Sequence, residues 1–249
     1  MKFIKYLFIT IFFFGISNEC LAQVKKDTLS ILFVGNSYTS VSNMPHLVSL
    51  ISDSTKVKLI TSKSTAGGAR LSDHWKGEKG LKTKEIISKG MYDIVVLQEH
   101  DWGIIENKDD FFKYSKELCN LIKASGAKPY FYVTWARQKV PQDQETITKT
   151  YQQASKENDC GLIMVGEAWK LAKTLRPDIQ LFAPDGSHPS DLGAFLTACA
   201  FVKELSKELP DELPRNYKVI DTNGESVQLM FLYTLDITFC LKVVNEIAK

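Results

Sequence analysis

Five short apolar runs alternate along the chain with longer stretches in which apolar residues recur at three- and four-residue steps. The runs are LSILFVG (29–35), KVKLIT (56–61), YDIVVLQ (92–98), PYFYVTW (129–135) and GLIMVG (161–166). Each is short enough to be a strand, and most are apolar on both alternating sets of positions. The stretches between them predict helices near 44–53, 81–89, 109–125 and 143–158. In the third, Phe111, Phe112, Tyr114, Leu118, Cys119, Leu121 and Ile122 line one side. Strands that are apolar throughout and joined by helices predict a parallel sheet covered on both faces. The expected fold class is therefore α/β, doubly wound.

Two more helices are expected near the end of the chain. SDLGAFLTACAFVKEL (190–205) places Leu192, Phe195, Leu196, Cys199, Val202 and Leu205 together. SVQLMFLYTLDITFCLKVVNEIA (226–248) is apolar on most sides, but Gln228, Asp236 and Lys242 mark it as a buried core helix rather than a membrane span. Pro210 and Pro214 separate the two.

The first residues follow a different pattern. Lys2 and Lys5 precede an apolar run from Tyr6 to Ile16, and CLAQ follows with small residues, Cys20 and Ala22, at cleavage positions. This predicts a secretory signal peptide cut after Ala22, and so a secreted or periplasmic protein. The apolar run is shorter than a spanning helix needs. A lipid anchor on Cys20 is the competing reading, against which Glu19 stands where a small residue is required. Cleavage leaves 227 residues, 23–249, of a length for one domain, with 29 basic and 28 acidic side chains. Such a balance gives no electrostatic case for nucleic acid, and no stable membrane insertion is expected. Cys119, Cys160, Cys199 and Cys240 remain, too widely spaced for a CxxC metal or redox site. One or two disulfides are open to them in an oxidising compartment; Cys119, Cys199 and Cys240, lying in apolar helical patterns, read as buried thiols.

Ligands in an open parallel sheet bind beyond the carboxyl ends of its strands. There the chain carries Gly35-Asn36-Ser37, then STAGGARLSDHW, then Gln98-Glu99-His100, then Trp135-Ala136-Arg137, then Glu167. A serine in that place is a candidate nucleophile only if a base takes its proton. His188 is the best candidate, because Asp185 three residues earlier, in a Pro-Asp-Gly-Ser-His-Pro turn, can accept the Nδ1 proton and leave Nε2 free. His46, at a helix start after Pro45, reads as an ordinary surface histidine. Donors for an oxyanion are available in the N–H groups of Ser37 and of the Gly67-Gly68 loop, and in the Gln98 side-chain amide. Glu99, His100 and Asp101 with His74 invite a metal reading, but adjacent residues at a strand end point to opposite faces and chelate one ion poorly, so no metal is expected.

Serine in GNS, glycine in the loop after the second strand, an amide after the third and Asp-x-x-His near the C-terminus, in that order, resemble the SGNH or GDSL hydrolases, a superfamily of esterases and lipases. The resemblance runs from Ile31 to Phe201 and fits most closely an exported bacterial branch with Gln in the third block. It implies a three-layer α/β/α sandwich on a five-stranded parallel, doubly wound (flavodoxin-like) sheet. It implies Ser37, Asp185 and His188 as catalytic residues, and Ser37, Gly68 and Gln98 as the oxyanion hole. Two departures stand out: Asn36 replaces the usual Asp of Gly-Asp-Ser, and VVLQEHD replaces Gly-x-Asn-Asp, so Gln98 must reach one methylene further to do the Asn's work.

The function so implied is serine-esterase hydrolysis of O-acyl esters through an acyl-enzyme, with no cofactor. The partner is a small-molecule or glycan ester, with O-acetyl carbohydrate placed first because Trp75, Trp102 and Trp135 lie near strand ends where they could stack on a sugar. His74, Trp75, Glu99, Trp135 and Arg137 are candidate substrate contacts. Lipase or thioesterase activity, or non-catalytic glycan binding on the same scaffold, are the alternatives.

Overall fold

The computed structural model describes residues 27–247, so the expected signal peptide lies outside the described residues. In chain order the elements are β1 (Asp27–Gly35), α1 (Ser37–Ser40), α2 (Met44–Ser52), β2 (Val57–Thr65), α3 (Leu71–Lys76), α4 (Thr83–Ser88), β3 (Ile94–Leu97), α5 (Asp101–Glu106), α6 (Lys108–Ala124), β4 (Lys128–Tyr132), α7 (Asp143–Asn158), β5 (Gly161–Ile163), α8 (Val165–Leu175), α9 (Asp191–Ser206), β6 (Asn216–Ile220), β7 (Ser226–Phe231) and α10 (Thr234–Ile247).

Strands β1 to β5 form one parallel sheet in the order β2-β1-β3-β4-β5. The alternation along β1 explains the three layers. Ile31 and Phe33 face a core built with α2, α8, α9 and α10, whereas Leu32 and Val34 face a second core built with α4, α6 and α7. Phe33 meets Phe201 of α9 edge-on at 4.9 Å between ring centroids. Truncating either ring would cost about 3–5 kcal/mol. β1 neighbours both β2 and β3, pairing Gly35 with Thr65 on one side and Val34 with Leu97 on the other. The chain thus reverses its winding direction at β1, and the crevice beyond Gly35 is the switch point of the sheet.

Three expectations require correction. GLIMVG does not form a six-residue strand: β5 ends at Ile163, and Val165 already opens α8, which buries Val165, Ala168, Trp169 and Ala172 at helical spacing. Likewise β4 ends at Tyr132, three residues short of Trp135. The segment 226–248 is not one helix. Its first part pairs as β7 against β6 in an antiparallel hairpin, and only Thr234–Ile247 is helical. The hairpin forms because Asn223-Gly224 supplies a tight turn, with Gly224 at φ 83° and Asp221 Oδ1 accepting the N–H groups of Asn223 and Glu225. A run apolar enough for a buried helix is here a strand with Met230 turned inward and Val227 and Phe231 exposed. No helix among the described residues is long and apolar enough to cross a membrane.

Candidate active site

The turn after β1 is built around Asn36. Its backbone is extended (φ −125°) and its side-chain oxygen accepts the Tyr38 N–H at 3.0 Å, capping α1. Its Nδ2 donates to Ala69 O at 3.1 Å, which ties the turn to the glycine loop after β2. Gly35 is required by close approach: a Cβ there would lie 2.4 Å from Gln98 Oε1 and 2.7 Å from Thr39 Oγ1. Asn36 and Tyr38 are buried, while Ser37 between them is half-buried and reachable.

Ser37 Oγ lies 2.8 Å from His188 Nε2, and His188 Nδ1 lies 2.5 Å from Asp185 Oδ2. The other carboxylate oxygen accepts the N–H groups of Ser187 and His188, each at 2.9 Å. The bond from His188, with these two, holds the Asp185 carboxyl down to about 2. An ionised Asp185 in this position fixes the His188 tautomer with its proton on Nδ1 and a lone pair toward Ser37.

The loop carrying His188 is closed on itself and fastened at several points. Ala183 N–H donates to His188 O, Gly186 N–H donates to Ala183 O, and Phe182 bridges to Pro189. Gln138 N–H donates to Gly186 O, and Trp135 Nε1 donates to Ser187 O at 2.9 Å. Trp135 is sandwiched between Tyr38 (4.9 Å, 17°) and Trp169 (3.8 Å, 7°). Tyr38 presents its edge to His188 at 5.5 Å and bonds Ser187 Oγ and Asp101 Oδ2 through its hydroxyl. Desolvation, with Asp101 beside it, raises the Tyr38 hydroxyl to about 12, so it stays protonated. Asp101 is held by the Arg137 guanidinium, whose Nη2 lies 3.2 Å from Oδ1 and whose Nε meets Oδ2.

Gly68 stands at φ 59°, in the left-handed region where a side chain would be strained. Lys79 Nζ donates to Gly68 O at 2.9 Å. Among the described residues neither the Ser37 N–H nor the Gly68 N–H has an acceptor. Both donors are free, and the bond from Asn36 to Ala69 O joins the two loops that carry them.

Gln98 has another place than the one expected. It is fully buried; Oε1 accepts Asn36 N–H and Thr39 Oγ1–H, both at 2.9 Å, and Nε2 donates to Glu99 O at 2.6 Å. Its amide is committed to holding the nucleophile turn against β3 and is not offered to a substrate. His100 follows two residues later as the N-cap of α5. Its Nδ1 accepts the Trp102 N–H at 3.3 Å, leaving the ring proton on Nε2, which has no partner among the described residues. Asp101 Oδ1 lies 3.1 Å from the same Nδ1 but without hydrogen-bond alignment, so the acceptor role stands. Desolvation lowers the His100 pKa and favours the neutral ring.

Three of the five expected substrate contacts, His74, Glu99 and Trp135, are buried. His74 is fully buried, with Nε2 3.0 Å from Gly35 O and Nδ1 2.7 Å from Thr83 Oγ1, and desolvation lowers it to about 4. Glu99 is buried too, accepting Leu71 N–H at 3.1 Å and His100 N–H at 2.6 Å; desolvation raises it to about 7. Trp135 is only 1% exposed and supports the histidine loop. Trp75 packs on the second core with Lys84 Nζ 4.7 Å above its ring. Arg137, like Trp75, is half-buried. It borders a cavity of about 350 Å³ lined by Trp169 and Phe182, and another of about 200 Å³ lined by Trp102 and Ile105.

No protein-family model matches the chain, and no curated protein matches it in sequence. Solved structures do match in fold. A candidate SGNH hydrolase from Slackia heliotrinireducens is 25% identical, covers 71% of this chain and 98% of its own, and superposes with a TM-score of 0.61. A DUF4886 family protein from Bacteroides uniformis is 18% identical, covers 89% of this chain and 95% of its own, with a TM-score of 0.67. An acetyl xylan esterase is 17% identical over 71% of this chain and 100% of its own, with a TM-score of 0.56. In its fold, the chain is similar to the SGNH hydrolase superfamily, the family that its sequence resembles.

Proposed function

We propose that the chain is an exported serine esterase that hydrolyses O-acyl esters, O-acetyl groups on carbohydrate first among them. The observation that carries this reading is the continuous relay from Ser37 Oγ to His188 Nε2 at 2.8 Å and from His188 Nδ1 to Asp185 at 2.5 Å. His188 takes the serine proton as Oγ attacks the ester carbonyl, and Asp185 stabilises the imidazolium that forms. The negative charge develops on the carbonyl oxygen, where the free N–H groups of Ser37 and Gly68 and the Nε2–H of His100 serve as donors. His188 then protonates the leaving alcohol, and water attacks the acyl-enzyme by the same path. The fold supports an ester hydrolase in general, since hydrolases and esterases are among its structural neighbours.

The carbohydrate reading rests on Trp102 and Arg137. Trp102 is 41% exposed at the start of α5, with the Arg137 guanidinium over one face of its ring, 4.8 Å from the centroid. The acetyl xylan esterase among the neighbours adds support by analogy of fold. Export rests on the basic, apolar and small-residue succession of residues 1–22.

Turnover of p-nitrophenyl acetate by the mature protein, with Ser37→Ala and His188→Ala as controls, tests the chemistry. Both variants should fall to the uncatalysed rate; equal rates for all three proteins would exclude the relay. A preference for acetyl over butyryl and octanoyl esters, and acetate release from acetylated xylo-oligosaccharides, tests the substrate. Mass analysis of the protein from its producing cells should place the N-terminus at Gln23.

A further inference from the structure

Cys119 lies in α6 and Cys160 just ahead of β5, and their sulfurs are 3.2 Å apart. A disulfide requires the sulfurs roughly 1.2 Å closer, an approach within the reach of small side-chain rotations. The neighbouring chain is already drawn together: Lys123 Nζ, one turn after Cys119, donates to Asn158 O at 2.6 Å. The other two cysteines, Cys199 and Cys240, are fully buried in the opposite core layer. We propose that Cys119 and Cys160 are a disulfide-forming pair, oxidised when the protein meets a disulfide oxidant of the glutathione class.

Export, as proposed above, brings the chain to such an oxidant; the pairing itself rests on the geometry alone. Cys160 is half-buried and Cys119 buried, so Cys160 is reached first. The contact with the Cys119 thiol, and Lys123 nearby, lower the Cys160 pKa, while the same contact and burial raise that of Cys119. The Cys160 thiolate attacks one sulfur of the oxidant RS–SR, forming a mixed disulfide and releasing RS⁻. Cys119 then gives up its proton to solvent and displaces the second RS⁻. Two thiols lose two electrons, and one oxidant disulfide becomes two thiols. The new bond closes the segment that contains β4 and α7 and carries Trp135, which fastens the histidine loop through Ser187 O.

The test equilibrates the purified protein with glutathione disulfide, unfolds it, alkylates it and digests it with trypsin. Peptides 117–123 and 157–170 should appear joined, lighter than their sum by two hydrogens, and should separate on reduction. The oxidised protein should melt roughly 5–15 °C above the reduced one, with turnover of p-nitrophenyl acetate at 25 °C unchanged within about twofold. Full alkylation of both cysteines, or linkage of either to Cys199 or Cys240, would overturn the assignment. Because the map reads the native sequence, it decides even where Cys160→Ser folds poorly. It is also independent of export, whose failure would show only as an unprocessed N-terminus.

Discussion

Glu99 sets desolvation against hydrogen bonding in a way that stability measurements can weigh. Its carboxyl is buried and accepts two backbone N–H groups, from Leu71 at the start of α3 and from His100. Those bonds favour the charged form, yet desolvation outweighs them and raises the carboxyl from 4.5 to about 7. An acid whose folded pKa exceeds its unfolded value stabilises the fold while protonated. The contribution is fully present below about pH 4.5 and is lost as pH rises through about 7. At about 1.4 kcal/mol per pH unit the loss amounts to about 3 kcal/mol, or roughly 6–12 °C in Tm for a chain of this size. Glu99→Gln removes the titration while keeping the shape, at a cost of about 1–3 kcal/mol because its NH₂ faces one of the two N–H donors. Urea unfolding of both proteins at fixed salt between about pH 4.5 and 8 isolates the effect. The advantage of the native protein over the variant should shrink by about 3 kcal/mol across that range. Parallel curves would mean that Glu99 does not titrate there. An advantage that grows with pH would mean that the two N–H bonds outweigh desolvation.

Other substitutions address the site. Asp185, held at about 2, stays ionised through the working range; Asp185→Asn should lower kcat on the order of 10³-fold by removing the acceptor that fixes the His188 tautomer, measured with p-nitrophenyl acetate. His100→Ala should reduce kcat on the order of 100-fold and cost about 1 kcal/mol for the lost cap of α5, whereas Gln98→Ala should act chiefly on stability, by about 2–4 kcal/mol, since it strands the Asn36 N–H in a buried turn. The reverse pattern would return the oxyanion role to Gln98. Trp135→Phe keeps the stack between Tyr38 and Trp169 but loses the bond to Ser187 O; kcat should fall about tenfold as the histidine loop loosens, with KM for the small ester nearly unchanged.

The parts of the fold that depend on hydrophobic periodicity were legible in the sequence. Ile31 to Val34 are apolar on both faces because both faces of β1 are covered, and that pattern alone predicts a doubly wound sheet. Periodicity failed where a strand and a helix are both apolar and nearly contiguous. GLIMVG runs from β5 straight into α8, and 226–233 is apolar enough to read as helix although the Thr-Asn-Gly before it signals a hairpin turn. At the site, residue types and order indicated Ser37, Asp185 and His188, and the His188 ring lies within hydrogen-bond distance of both other side chains. Burial was not legible. His74, Glu99 and Trp135 are residues that could contact a substrate as well as hold a loop, and only the packing around them shows that they hold loops. Gln98, read as an oxyanion donor, is buried with its amide bonded to Asn36, Thr39 and Glu99, which its residue type alone does not reveal.

The central claim is that His188 activates Ser37. A fluorophosphonate probe tests it most directly, because phosphorus captures only a serine oxygen made nucleophilic by a neighbouring base. Mass mapping of the labelled protein should find one adduct, within peptide 27–56 and on Ser37 by fragmentation, with labelling slowed on the order of 10³-fold in His188→Ala. An unlabelled protein, an adduct on another serine, or equal labelling without His188 would contradict the account.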